Sequence, residues 1–216
     1  MERAAAVEVL SQLLQQDLVA VAQAHGVPIF VNGKKNKGWA GHTLERVLQL
    51  PLNSSKAPNF GSWELKSTSL AYGRDGKLRV KETVAITMLD PVEILQKEFE
   101  ESHLYNKLRK TLLVARIHES QQEERSILHR IAEFDLNNPA LHAALKADYE
   151  TIREEVRGGH PLSGRLGRYI QPRTKGPGHG STSRAFYVRK VLVAHLLNIA
   201  PISFDDEIVV PKLFRK

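Results

Sequence analysis

The chain has 216 residues, 42% hydrophobic and 25% charged, with a formal net charge of +7 and a pI near 9.6. With no cysteine, disulfide scaffolds and thiolate metal centres are excluded, and no apolar run approaches the roughly 20 residues of a membrane span. The length suits one domain with a substantial core, or a two-lobed domain. The N-terminal "MERAAAVEVLSQLLQQ" lacks the basic-then-apolar order of a signal peptide, so a cytoplasmic protein is expected.

Residues 2–24 carry Val7, Leu10, Leu14, Leu18 and Val21 at helical spacing and predict one helix. "HGVPIFVNGKKNKG" reads as a turn-rich connection. A second helix is expected over about 39–50, ending before Pro51, with a loop over 51–61. "SWELKSTSLAY" predicts a strand, "GRDGK" a hairpin turn, and "LRVKETVAITML" a returning strand. A helix is expected over about 91–110, and "TLLVARIH" is a buried strand by its branched apolar run. An acidic segment follows, then a helix over about 138–157, a strand at "GRYIQ" and a basic loop at "RTKGPGHGSTSR". "AFYVRKVLVAHLLNI" predicts a closing helix, with an irregular tail after Pro201. Helices around a hairpin and a third strand indicate an α/β or α+β fold with a mixed central sheet.

Charge is unevenly spread. Residues 164–190 hold Arg165, Arg168, Arg173, Lys175, Arg184, Arg189 and Lys190 and no acid, and a second basic run, "NGKKNKG", contains Lys37. Such a field suits a polyanion, with nucleic acid the commonest partner, although a basic but otherwise ordinary enzyme has the same balance.

Within the first predicted strand, Glu64 and Lys66 are two apart and share a face. A carboxylate that fixes Mg²⁺, beside a lysine that steadies or deprotonates water, is what phosphodiester hydrolysis needs. By itself the pair fits an ordinary solvated strand face better than a metal site.

Four blocks in order change that weighting. "NKGWAGHTLERVLQL", "NFGSWELKSTS", "SHLYNKLRKTLLVARI" and "GRYIQPRTKGPGHGSTSRAFYVRKVLVAHLL" together resemble the MutH-like and type II restriction endonucleases of the D-x(n)-E-x-K nuclease superfamily. The resemblance spans most of the chain and implies a restriction-endonuclease-like core with a mixed central sheet flanked by helices. It implies a single nuclease domain over 1–216, as a catalytic part of about 1–120 and a DNA-recognition part of about 121–216. Glu64 would be a metal ligand and Lys66 the lysine acting on the attacking water. Lys107 would be a second active-site lysine, and Glu45 an auxiliary acid. Arg173 and Lys175 would read base edges or grip phosphate. His179, Arg184 and Lys37 are expected to touch DNA as well.

The departure is Asn59, where the family has aspartate. An amide can ligate Mg²⁺, but it brings no charge, so Asn59 and Glu64 would form a weakened metal pair. An introduced Asp-to-Asn change, natural tolerance of asparagine, or a non-cutting relative would each account for it. The first is preferred because the change is nearly isosteric and the rest of the site is present. The five-residue gap from 59 to 64 is nearer the MvaI/BcnI type of restriction enzyme than MutH.

Nine scattered histidines include no H-x3-H or H-E-x-x-H pair, and neither glycine-bearing run matches a P-loop. Tyr169, Phe186 and Tyr187 read as core packing or as rings that stack at DNA. The expectation is therefore a sequence-specific, Mg²⁺-dependent endonuclease of the type II restriction kind acting on double-stranded DNA, as monomer or homodimer, with no membrane partner. A mismatch-repair-type nicking enzyme and a non-cutting DNA-binding relative are the alternatives.

Overall fold

The predicted N-terminal helix is two helices in the computed structural model, which describes residues 1–49, 62–175, 182–204, 207–208 and 212–215. α1 spans Arg3–Ser11 and α2 spans Leu18–Ala24. The break arises because Gln15 takes a left-handed φ of 68° and Asp17 caps α2, accepting from the Val19 amide at 3.0 Å. The same carboxylate accepts from the Ser126 amide at 2.9 Å, so a long-range bond wins over continued helical periodicity. A small hairpin follows, β1 (Phe30–Val31) and β2 (Lys34–Lys35), turning through Asn32 and Gly33 at φ 50° and 72°. α3 (Trp39–Val47) stops short of the expected end at Leu50. The loop expected at 51–61, Asn59 within it, lies outside the described residues.

β3 (Glu64–Tyr72) forms as predicted and turns into β4 (Leu78–Val80) through Gly76 at φ 70°. The expected single returning strand is divided. β4 pairs with only Leu70–Tyr72, whereas β5 (Val84–Leu89) leaves for a different sheet. The expected helix over 91–110 is also broken into α4 (Pro91–Gln96), a 3₁₀ turn at Phe99–Glu101, and α5 (His103–Leu108). Asp90 caps α4 and Ser102 caps α5, and Lys97 is extended between them.

β6 (Lys110–Ile117) is the buried strand expected from its apolar run. The acidic segment hides a strand that sequence reading missed, β7 (Leu128–Asp135), antiparallel to β6. Its Leu128, Ile131, Ala132 and Phe134 are buried, but intervening charges obscure the alternation. α6 spans Pro139–Arg157, capped by Asn138, close to the predicted bounds. β8 (Ile170–Thr174) precedes β9 (Arg184–Val188), which occupies the first part of the expected closing helix. Aromatic and β-branched residues there pair on both sides with β5 and β8, and only α7 (Lys190–Leu196) is helical. Short strands β10 (Ser203–Phe204), β11 (Glu207–Ile208) and β12 (Lys212–Phe214) occur where an irregular tail was expected.

The strands make a five-stranded mixed sheet in the order β12-β7-β6-β3-β4, and a three-stranded antiparallel sheet in the order β5-β9-β8. The larger sheet, flanked by helices, is the restriction-endonuclease-like arrangement. β6 is apolar on both faces because both are covered. Leu112 and Val114 pack with α1, α2 and α3, whereas Leu113, Ala115 and Ile117 pack with the second sheet, α6 and α7. Tyr169 and Phe186 join the second core, so the core-packing alternative holds for both.

Asp148 ties that second sheet down. It falls on the apolar stripe of α6 with Leu141, Leu145, Tyr149 and Ile152, an odd place for an acid. Its carboxylate accepts from the amides of Arg168, Tyr169 and Ile170 at 2.6, 2.6 and 2.8 Å. Gly167 makes the tight approach possible, since it sits at φ 73° and a Cβ would lie 1.9 Å from the Ile170 carbonyl oxygen. Asp148→Ala strands these buried donors and is expected to cost about 3 kcal/mol, read as a lowered urea midpoint at unchanged slope.

Candidate active site

Parallel pairing of β3 with β6 sets Glu64 opposite Thr111 and Lys66 opposite Leu113. Since β4 reaches only the far end of β3, the Glu64–Lys66 end is an open edge among the described residues. Strand alternation sends Leu65 into the N-terminal core and leaves Glu64 and Lys66 on the opposite face.

The Glu64 side chain is only 1% exposed and is held by both lysines. Lys66 donates to its Oε1, and Lys107 Nζ lies 3.3 Å from the same oxygen. α5 delivers Lys107 from its last turn, and Thr111 Oγ donates to the Lys107 carbonyl at 2.9 Å, fixing the junction of α5 with β6. A carboxylate this deeply buried is tolerated only because it is paired.

Lys66 lines an apolar pocket together with Val84, Ile86, Leu108, Val188 and Val193. Burial there pushes its ammonium below the usual lysine range. Glu64 opposes the shift, and the nearby charges of Lys107 and Lys175 add to it. The influence of Lys175 is informative, because that residue follows β8 on the other sheet. The fold therefore brings part of the basic segment to the E-x-K strand.

Glu45 projects from α3 within electrostatic reach of Glu64 and Lys66. Its carboxyl is raised above the usual range, chiefly by burial and also by the Glu64 charge, against the opposing charges of His42 and Lys66. A raised carboxyl stabilises the fold when protonated. That contribution is complete below pH 4.5, its ordinary value, and is lost as pH rises through the folded value, so ionised Glu45 is a liability at pH 7. Glu45→Gln is expected to raise the melting temperature at pH 7, by a gap that closes toward pH 4, and melting curves at the two pH values check it.

The other expected site residues are placed as follows. Arg173 is exposed on β8, donates to Thr83 Oγ at 2.8 Å and stacks 5.5 Å from the centre of the Tyr187 ring. Tyr187 is thus half-buried beneath an arginine, unlike its two core neighbours. Arg184 opens β9 opposite Thr174, with its guanidinium on the Thr182 carbonyl. Lys37 is exposed just before α3. Asn59 and His179 lie outside the described residues. Sequence reasoning missed Asp148 and a buried Glu123. The first was legible as an acid in an apolar helical stripe, whereas the second gave no local signal.

The donor set suits a hard divalent cation. Mg²⁺ keeps several waters and takes one or two carboxylates, and Glu64 and Glu45 could offer two carboxylates whose mutual repulsion a cation would relieve. No group of three or more His, Cys, Asp or Glu is placed to share a metal among the described residues.

The family model described as "DNA mismatch repair enzyme MutH" matches residues 48–155, half of the 216-residue chain, including Glu64, Lys66 and Lys107. The chain belongs to the MutH family. Its curated relatives include the DNA mismatch repair protein MutH of Shewanella woodyi, 29% identical over 174 residues, covering 76% of this chain and 71% of the relative. That of Pasteurella multocida is 24% identical over 195 residues, covering 82% and 86%. That of Haemophilus influenzae is 25% identical over 217 residues, covering 88% and 95%. The family match runs from before β3 into α6, and the alignments with these relatives cover most of the chain. No helix among the described residues is long and apolar enough to cross a membrane.

Proposed function

We propose that this chain is a Mg²⁺-dependent endonuclease of the MutH kind that hydrolyses one phosphodiester bond in double-stranded DNA. The observation that carries the reading is one buried carboxylate, Glu64, holding both Lys66 and Lys107 at an open strand edge in a MutH-family chain. The type II restriction reading yields here to its nicking alternative. The matching family and the relatives named above are mismatch repair proteins, and this outweighs the short gap between Asn59 and Glu64.

A divalent cation bound by Glu64, with Glu45 nearby and Asn59 as the second expected ligand, would supply charge opposite the phosphate and acidify water. Lys66, whose ammonium burial pushes below the usual lysine range, is suited to take the proton from the attacking water. Glu64 orients that amine. Lys107 is suited to balance the negative charge that gathers on the phosphate oxygens. Water adds at phosphorus, the P–O bond to the leaving sugar oxygen breaks, and that oxygen takes up a proton. Residues of the 121–216 part, Arg173, Lys175, His179 and Arg184, together with Lys37 from the N-terminal run, would hold the duplex. Most of the affinity would come from phosphates.

The test is conversion of supercoiled plasmid in Mg²⁺, followed by gel. Accumulation of open circles without linear product supports nicking. Direct linearisation at defined ends returns the restriction reading, and binding without any cutting, even in the Asn59→Asp form, leaves a DNA-binding relative.

A further inference from the structure

The acidic connection between β6 and β7 contains one carboxylate that is not on the surface. The Glu123 side chain is wholly buried, on a residue at φ 50°, a left-handed backbone that non-glycine residues seldom adopt. Three cationic or ionisable groups converge on it, one from β2 and two from the end of β6 and the residue after it. Lys35 Nζ of β2 lies 2.5 Å from Oε1, Arg116 of β6 donates to Oε2 at 2.8 Å and to Oε1 at 3.2 Å, and His118 Nδ1 is 3.0 Å from Oε1. Burial alone would raise this carboxyl, yet Lys35, Arg116 and His118 together hold it below the usual range.

Two structural links leave this hub. Arg116 lies over the Trp39 ring, 4.8 Å from its centre, and Trp39 opens α3, the helix that bears Glu45. Gly41 on α3 sits against β3, where a Cβ would meet Ser67 Oγ at 3.7 Å. Lys35 in turn anchors the β1–β2 hairpin. That hairpin joins neither larger sheet, and two strands of two residues are not stable by themselves. Its Lys34, Phe30 and Val31 are exposed, and Lys37 follows directly. Bare scaffolding would not require the hub's charge to reach a solvent-exposed basic ribbon.

We propose, resting on the nuclease reading above, that Glu123 is a positioning residue for DNA: it holds the basic hairpin and the start of α3 in one geometry relative to Glu64 and Lys66. Lys34 and Lys37 then meet backbone phosphates beside the bond to be cut. Lys35 does not touch DNA, being committed to Glu123.

The experiment compares the full chain with its Glu123→Gln and Lys35→Met variants, binding a fluorescent mixed-sequence duplex without metal over a range of salt. Melting curves and hydrogen exchange across 30–37 accompany it. Lys35→Met, a change at the surface end of the hub, guards against misfolding of the other variant. Positioning predicts that both variants bind about fivefold or more weakly and exchange faster at the hairpin. It also predicts that both lose about one to two from the slope of log affinity against log salt. If Lys35 instead grips phosphate itself, Glu123→Gln frees it and tightens binding while Lys35→Met weakens it, which overturns the proposal. So does unchanged affinity and slope in both variants with only a lower melting temperature, the signature of plain scaffolding. A parent chain that binds duplex and cuts it while the variants bind alike leaves the nuclease reading standing alone. A parent that neither binds nor cuts overturns both.

Discussion

Lys66→Met is expected to lower DNA cleavage about 10²- to 10⁴-fold, the usual contribution of a positioned proton acceptor, with duplex affinity changed by less than about threefold. Methionine keeps the apolar stem against Val84, Ile86, Leu108 and Val188, so packing is retained. It removes an ammonium that burial already disfavours, so the melting temperature should hold or rise. Glu64 keeps Lys107 at 3.3 Å and is not stranded as a lone buried charge. Loss of chemistry without loss of fold is therefore the signature. The pH–rate curve of the parent adds a second reading. The neutral amine grows with pH, and because the folded value lies below the ordinary 10.5, the rise should level off below pH 10.5. Cleavage by Lys66→Met within about threefold of the parent would remove Lys66 from the chemistry.

Asn59→Asp is expected to raise cleavage in Mg²⁺ and to lower the Mg²⁺ needed for half-maximal rate by about one to two decades. Carboxylate count is a main determinant of affinity in hard-cation sites. Asparagine offers one neutral oxygen where aspartate offers a charge. The site as it stands combines two lysines against Glu64 with a Glu45 reluctant to ionise, so an added anion should tell strongly. The same change does nothing for Lys66, so the double variant Asn59→Asp, Lys66→Met should remain inactive. A metal titration of nicking in the four combinations measures this. Equal rates and equal Mg²⁺ dependence for asparagine and aspartate would mean that the family's second acid has no counterpart at 59.

The sequence by itself determined the parts whose signal is local. "TLLVARI" read as a buried strand from its branched apolar run, and the helix over about 138–157 was read close to the bounds of α6. Glu64 and Lys66 had to share a face because strand side chains alternate. Other features were decided by partners far away in the chain. "RAFYV" has apolar content that suits helix or strand equally well, and pairing with β5 and β8 selected the strand. "LRVKETVAITML" divided because its halves found different sheets. β7 stayed hidden among charges until β6 supplied its register. Only tertiary structure could bring Lys107 to a carboxylate 43 positions earlier and Lys175 close enough to influence Lys66. The pairing of Lys35 with Glu123, 88 positions apart, is of the same kind. Periodicity reports which side of an element is buried, whereas a charge is placed by whichever opposite charge the fold brings to it.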